Sequence, residues 1–285
     1  MQFDQYIYQL IETMYAEDIG EGDITTEACI PQHTTTSGKF VTKQNGVIAG
    51  LPYMEAYFKR IDPLIEVKHF VDEGSRQKAG TVIAKVSGPA RGIISGKGGA
   101  LSLLQHASGV ATLTAEYVKR VAGFDCQILD TRKTLPGLRA LEKYAVQVGG
   151  GVSHRLGLYD RFIIKNNHLV FVAGKRPRSI KEAYEKVKAY KPNVTIEIEV
   201  TDYSQLEEAL ATDAEVIMLD HMSVVEVYRC VNRIRQTNKM VYMESVSSIT
   251  LDTIRAFAET GVHGIAISGL THSVEDLDIG MRLMH

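Results

Sequence analysis

The chain has 285 residues, 45% hydrophobic and 23% charged, which is enough apolar bulk for one large or two modest packed domains and rules out disorder or a fibrous repeat. Lys and Arg total 32 against 34 Asp and Glu, a formal charge of −2 with no polybasic tract, so nucleic acid is disfavoured as the main partner. Three widely spaced cysteines, Cys29, Cys126 and Cys230, form no CxxC pair; this speaks against a disulfide framework or structural zinc and fits a reducing cytoplasm.

From Phe3 to Tyr15, Ile7, Leu10, Ile11 and Met14 recur at helical spacing, and the glycines of EDIGEGD stop the helix. Residues 37–93 alternate apolar and polar positions between Asn-Gly, Glu-Gly and Ala-Gly turns, the pattern of an antiparallel sheet of short strands. About Ala100 to Val121, the stripe Leu101, Leu104, Val110, Leu113, Tyr117, Val121 predicts a helix bent or broken near Gly109. Beyond residue 125, the apolar runs CQILD, RFIIK, TIEIEV, EVIMLD, MVYMES and HGIAIS alternate with helical stretches, the signature of βα units around a parallel sheet or barrel. No stretch approaches the roughly 18 uninterrupted apolar residues of a membrane span, and no export signal is visible.

The predicted strands share polar carboxyl ends: Asp130 followed by Arg132 and Lys133, then Lys165, Glu199, Asp220, Glu244 and Ser268. In a βα barrel those ends form the mouth where chemistry occurs, so the pattern would converge cations and carboxylates from separate strands. Arg132 offers a planar fork for carboxylates and Lys133 a compact charge for phosphate, which suggests a substrate set carrying both groups. The triple glycine Gly149–Gly151 precedes His154 and Arg155, where backbone could approach a ligand closely, or where a helix simply stops. Glu199 and Asp220 are the candidate metal pair, since Mg²⁺ takes one or two carboxylates with water and substrate oxygens. His168, His221 and His272 show no HExxH spacing and are read as hydrogen-bonding groups. Neither GxGxxG after a strand nor GxxxxGK[ST] occurs, which removes dinucleotide and Walker-type sites.

Several blocks resemble the quinolinate phosphoribosyltransferases: EDIGEGDITTEACIP, LLQHASGVATLT, ILDTRKTLPGLRALEKYAVQVGGGVSHRLGLYDRFIIKNNH, IEIEV, IMLD and LTHSVEDLDIG. The resemblance implies an α/β fold with an N-terminal α/β sandwich-like domain over 1–110 and an incomplete (βα) barrel of the type II phosphoribosyltransferase kind over 111–271, with 272–285 open to return to the first domain. It implies a cytoplasmic homodimer or higher homo-oligomer with small-molecule substrates, joining quinolinate to phosphoribosyl pyrophosphate with loss of CO2 and pyrophosphate. By position, Arg132, His154, Arg155 and Lys165 match residues that surround quinolinate. Lys133, Glu199 and Asp220 match those that handle the donor and Mg²⁺, the implied cofactor.

Three departures accompany the match. Lys97-Gly-Gly-Ala-Leu-Ser stands where the family has Glu-Arg-Thr-Ala-Leu-Asn, so Gly98 replaces an Arg that reaches the neighbouring subunit's substrate. Val246-Ser-Ser replaces a Ser-Gly-Gly phosphate turn, leaving Ser247, Ser248 and Ser268, with His272, as the phosphate-contacting groups. His221 stands where the family has Asn. The alternatives are therefore a paralogue taking a different aromatic acid, or a non-catalytic binding homologue.

Overall fold

The computed structural model describes residues 3–172 and 179–284. Helix α1 (Asp4–Asp18) buries Ile7 and Ile11 and is followed by the short α2 (Ile24–Cys29), whose first turn is capped by the Asp23 carboxylate. Strand β1 (Thr35–Thr42) and the two-residue β2 (Gly46–Val47) lead into α3 (Leu51–Ile61). Strands β3 (Glu66–His69), β4 (Arg76–Gln77) and β5 (Val82–Pro89) precede the long α4 (Ala90–Arg120).

Two of these elements differ from the sequence expectation. The stretch read wholly as short strands contains α3, where Leu51, Met54 and Phe58 with Tyr53 and Tyr57 form a buried helical face. Its start is fixed from a distance: the Glu73 carboxylate accepts the amides of Gly50 and Leu51 at 2.6 and 3.0 Å, and the Tyr144 hydroxyl donates to the same carboxylate at 2.7 Å. Helix α4 begins ten residues before the expected start at Ala100 and runs without a break at Gly109. That glycine serves close approach, because a Cβ there would lie 2.4 Å from the Glu275 carbonyl oxygen.

The second half of the chain continues with β6 (Gln127–Leu129), α5 (Arg139–Val148), β7 (Phe162–Ile164), α6 (Asn166–Val172), α7 (Ile180–Tyr190), β8 (Ile196–Val200), α8 (Tyr203–Leu210), β9 (Val216–Asp220), α9 (Val224–Arg235), β10 (Tyr242–Val246), α10 (Ile254–Glu259), β11 (Gly264–Ala266), α11 (Gly269–His272) and β12 (Ile279–Met284). A capping box between Ser223 and Glu226 opens α9.

The chain divides into two compact units, the first comprising residues up to Ala115, Lys133–Gly150 and Gly269 onward, the second Glu116–Arg132 and Gly151–Ser268. In the first, an antiparallel sheet ordered β12-β1-β5-β3 pairs the chain's last strand with its first, and β2 pairs with β4. In the second, six parallel strands run β6-β11-β10-β9-β8-β7, and β6 and β7 are its edges. The strand pattern predicted βα units around a parallel sheet or barrel, and the six strands form one parallel sheet. Among the described residues no helix is long and apolar enough to cross a membrane.

A partly buried cluster, with His106 and Glu142 buried and Asp276 exposed, ties the first unit's C-terminal segment to its helices. His106 on α4 lies 2.9 Å from Asp276 and 3.0 Å from the fully buried Glu142 of α5, whose other oxygen accepts the Leu135 amide. Burial alone would lower the histidine's pKa, but the two carboxylates outweigh it and raise it above the ordinary value. Removing the ring leaves Glu142 buried without its cation, a loss of about 3 kcal/mol or more for a buried pair. We predict that His106→Ala lowers the thermal midpoint. Because the folded pKa is the higher one, the increment is fully present below the unfolded value near about 6.5 and fades as pH rises through the folded pKa. The gap between wild type and variant should therefore be wider at pH 6 than at pH 9 in paired melting curves.

Candidate active site

In a parallel sheet, residues two apart along a strand share a face, and paired residues on neighbouring strands share a level. Glu199 on β8, Met218 on β9 and Glu244 on β10 are in register. Glu197 therefore sits one pleat below Glu199 on the same face, and Asp220 one pleat above Met218. Lys165 directly follows β7, where Ile163 is in register with Glu197. This alternation explains why every residue of β8 is buried although two are glutamates: one face packs Ile196, Ile198 and Val200 while the other carries the acids.

Three polar groupings occupy this face. First, the Lys165 ammonium donates to Glu199, and the Lys165 amide donates to His168 Nδ1 at 3.0 Å, which gives His168 the hydrogen-bonding role read for it. Second, Asp220 Oδ2 lies 2.7 Å from Nδ1 of His221. His221 has φ +56°, a left-handed conformation in which Asn, Asp and His are enriched. Third, His154, with a side chain only 7% exposed, lies 3.2 Å from Glu244 and 3.3 Å from Glu197 through Nε2, and Arg161 Nη1 approaches Glu197 at 3.6 Å and Glu244 at 4.0 Å.

The third grouping is buried and nearly balanced in charge. Two carboxylates face one guanidinium, so neutrality requires one further proton within the cluster. Burial works against a charged His154 ring, but Glu197 and Glu244 outweigh it and push its pKa up to about 9. Burial first, and then the charge of Glu197, raise Glu244 as well, against the His154 hydrogen bond. The Arg155 amide donates to His154 Nδ1 at 2.8 Å, which favours a proton on Nε2 and the neutral ring. A proton on Nδ1 would face that N–H directly, so the ring proton sits on Nε2 and the extra proton belongs to the set of groups titrating together. The ligand atoms of His154, Glu197 and Glu244 lie within 4.8 Å of one another, as in a metal site, but Arg161 already places one positive charge beside the two carboxylates.

The remaining expected residues fall as follows. Arg155 donates through Nη1 to the Arg161 carbonyl at 3.1 Å, and burial, followed by the nearby charge of Arg132, lowers its pKa. Arg132, half-buried just beyond β6, therefore belongs with this cation group. Ser268, beyond β11, accepts from the Thr131 hydroxyl at 3.4 Å, and Ser247 and Ser248 directly follow β10. Lys133 and His272 belong to the first unit, where the Lys133 carbonyl accepts the Thr271 hydroxyl at 2.6 Å and His272 Nδ1 lies 2.5 Å from the Ser273 hydroxyl. Glu199 and Asp220 each have a separate neighbour, the Lys165 ammonium and the His221 ring. Of the triple glycine, Gly149 caps α5 and only Gly150 takes a positive φ, +89°. The sequence reading did not include Glu197 and Arg161 and noted Glu244 only as a strand end; the period-two spacing of Glu197 from Glu199 was the available signal.

A parallel βα sheet with one face that gathers arginines, a lysine and acids from adjacent strands defines an α/β enzyme site for anionic substrates. The chain belongs to the quinolinate phosphoribosyl transferase family, whose N-terminal domain matches residues 23–108 and whose C-terminal domain matches 110–282. It is 40% identical over 270 residues to the nicotinate-nucleotide pyrophosphorylase [carboxylating] of Mycobacterium leprae, covering 94% of this chain and 93% of that protein. It is 34% identical over 292 residues to quinolinate phosphoribosyltransferase [decarboxylating] 2b, mitochondrial, of Nicotiana tabacum, covering 97% and 82%. The nicotinate-nucleotide pyrophosphorylase structure from Francisella tularensis superposes with a TM-score of 0.90 at 30% identity, covering 98% of this chain and 96% of that one.

Gly98, one of the three departures from the family pattern, is exposed on α4, and a Cβ built there would have only the Asp18 carboxylate nearby, at 3.7 Å. A Cβ on the buried Gly99 would lie 2.4 Å from the Tyr57 ring and hydroxyl. We predict opposite signs for neighbouring substitutions: Gly98→Ala stabilises by about 1 kcal/mol through helix propensity, whereas Gly99→Ala destabilises by about 1–3 kcal/mol through overpacking. Thermal midpoints of the two variants check this.

Proposed function

We propose that the protein transfers phosphoribose from phosphoribosyl pyrophosphate to quinolinate and releases CO2 and pyrophosphate, giving nicotinate mononucleotide. The observation that carries the reading is the clustering of Arg155 and Arg161, with Arg132 close enough to perturb Arg155, on the sheet face that also carries the Lys165–Glu199 pair. Quinolinate carries two carboxylates on one planar ring, and guanidinium forks suit planar carboxylates better than ammonium groups do. Arg132 and Arg155 orient the acid so that its ring nitrogen faces the anomeric carbon of the donor, and Lys165 offers a point charge to a carboxylate. His154, enclosed by Arg155 and the two glutamates, keeps that loop in place.

Transfer builds positive character on the ribose and negative charge on the departing pyrophosphate, so groups already fixed in place lower the barrier. Glu199 and Asp220 suit Mg²⁺ in donor chemistry: both are hard carboxylates on adjacent strands and one face, and neither Oε1 of Glu199 nor Oδ1 of Asp220 takes part in the pairs to Lys165 and His221. They are the residues that would hold the ion, whose chemistry when bound is to neutralise charge on pyrophosphate. Ser247, Ser248 and Ser268 are proposed for the donor's phosphate, and Lys133 and His272 join them on the family pattern alone. The quaternised pyridinium itself supplies the electron sink for CO2 loss. A cytoplasmic homodimer is proposed on the same pattern.

Pyrophosphate and CO2 released in equal amounts from phosphoribosyl pyrophosphate, quinolinate and Mg²⁺ are the expected result, and turnover confined to another aromatic acid would overturn the reading. Glu199→Gln and Asp220→Asn should each lower kcat by about 100-fold or more while leaving the fold intact by circular dichroism. Arg155→Lys should mainly raise KM for the acid, by about tenfold.

Gly98 favours a second reading, in which the acid bears one carboxylate. Asp18 beside that position means that an Arg introduced there has a local counter-ion. Comparing quinolinate with nicotinate turnover in wild type, Gly98→Arg and Gly98→Arg with Asp18→Asn decides it. A mono-acid enzyme should gain quinolinate turnover most in the double variant, and a quinolinate enzyme should lead with quinolinate in all three.

A further inference from the structure

Residues 153–161 form neither helix nor strand, yet they are held by a closed circuit of polar contacts. Asp130, at the end of β6, accepts the Ser153 hydroxyl and the His154 amide, both at 2.9 Å. His154 Nε2 donates to Glu244 of β10 at 3.2 Å and faces Glu197 of β8 at 3.3 Å. The Arg155 amide donates to His154 Nδ1, the Arg155 guanidinium donates to the Arg161 carbonyl, and the Arg161 guanidinium returns to Glu197 and Glu244. Inside the loop, Asp160 accepts the Leu156 amide at 2.6 Å.

The three anchoring acids are buried, with relative exposures of 0% for Asp130, 0% for Glu197 and 2% for Glu244. A carboxylate in such a place is stable only while its cation or hydrogen-bond donor stays put, so each acid constrains the loop in return. Glu197 and Glu244 lie on β8 and β10 and Asp130 directly follows β6, so all three are tied to one hydrogen-bonded sheet. Arg132 and Arg155 also repel one another, as the lowered pKa of Arg155 reflects after burial. Two like charges kept close on two irregular segments do not stay oriented without an anchor.

We propose that Asp130, Glu197 and Glu244 are positioning residues for the acid-binding subsite: by clamping residues 153–161 to three strands they orient Arg155 toward the aromatic acid and thereby set its affinity. This rests on the proposed function for the identity of the acid. None of the three needs to touch substrate; they act through His154, Arg155 and Arg161.

The test pairs kinetics with amide hydrogen exchange. Glu244→Gln keeps an acceptor for His154 Nε2 and removes the charge, Glu244→Ala removes both, and Glu197→Gln and Asp130→Asn probe the other anchors. In Glu244→Ala, KM for quinolinate should rise by about tenfold or more with KM for phosphoribosyl pyrophosphate unchanged, and Glu244→Gln should recover part of the loss. Exchange at the 153–161 amides should quicken in all four variants while β8, β9 and β10 keep wild-type protection. If Glu244→Ala does not fold, the isosteric Gln and Asn variants carry the same comparison. Unchanged KM for the acid together with unchanged exchange in the loop, or a fall in midpoint with both substrates' KM intact, overturns the proposal. Wild type without quinolinate turnover defeats the functional reading instead, and the exchange comparison still decides whether the acids clamp the loop.

Discussion

Two glutamates lie in the middle of a parallel sheet with an arginine and a histidine closing over them, and the cost of leaving either carboxylate unpaired governs the surroundings. Taking a charge out of water costs several kcal/mol, and a partner at hydrogen-bond distance offsets it only while the geometry holds. Glu197 and Glu244 lie on strands fixed by ladders on both sides. Their partners sit in an irregular loop. Rigidity therefore passes from sheet to loop, and the loop's cations acquire directions that a solvated loop could not keep.

Much of this was legible in the residues. The six strands announced themselves as short apolar runs, and Lys165, Glu199 and Asp220 stood out because each ends such a run. Glu197 did not, because a lone acid within an apolar strand reads as an interruption until the register of neighbouring strands shows what lies opposite. Arg161 precedes β7 and looks like an ordinary solvated charge at a strand entrance; only the three-dimensional return of residues 153–161 over β8 and β10 brings it to the glutamates. Helix α3 was hidden by its aromatic content, since Tyr53, Tyr57 and Phe58 suit strand and helix alike. Its start depends on Glu73, twenty-two residues beyond Leu51.

The early start of α4 has a different cause. Glycines cost about 1 kcal/mol each inside a helix relative to Ala, and four of them between Gly92 and Gly99 argue locally against helix. The offset comes from packing: a Cβ at Gly96 would meet Ile61 at 2.6 Å and one at Gly99 would meet Tyr57 at 2.4 Å. These glycines let α3 lie against α4 with its aromatic side chains in place. Gly98 has no such reason, since nothing but Asp18 approaches it, so its presence is not explained by packing.

The polar frame also explains why an apolar one would not serve. Hydrophobic residues of similar volume in place of a buried ion cluster often match or exceed its stability, so stability alone does not account for Glu197, Glu244 and Arg161. Apolar packing, however, is satisfied by many orientations of the side chain it covers, whereas a hydrogen bond from His154 Nε2 to Glu244 fixes the ring plane, and with it the amide direction at Arg155. A site that has to present guanidinium forks to a planar di-acid needs direction more than it needs burial. The sheet meets that need by spending two of its interior positions on acids and leaving the apolar core to the opposite face of β8.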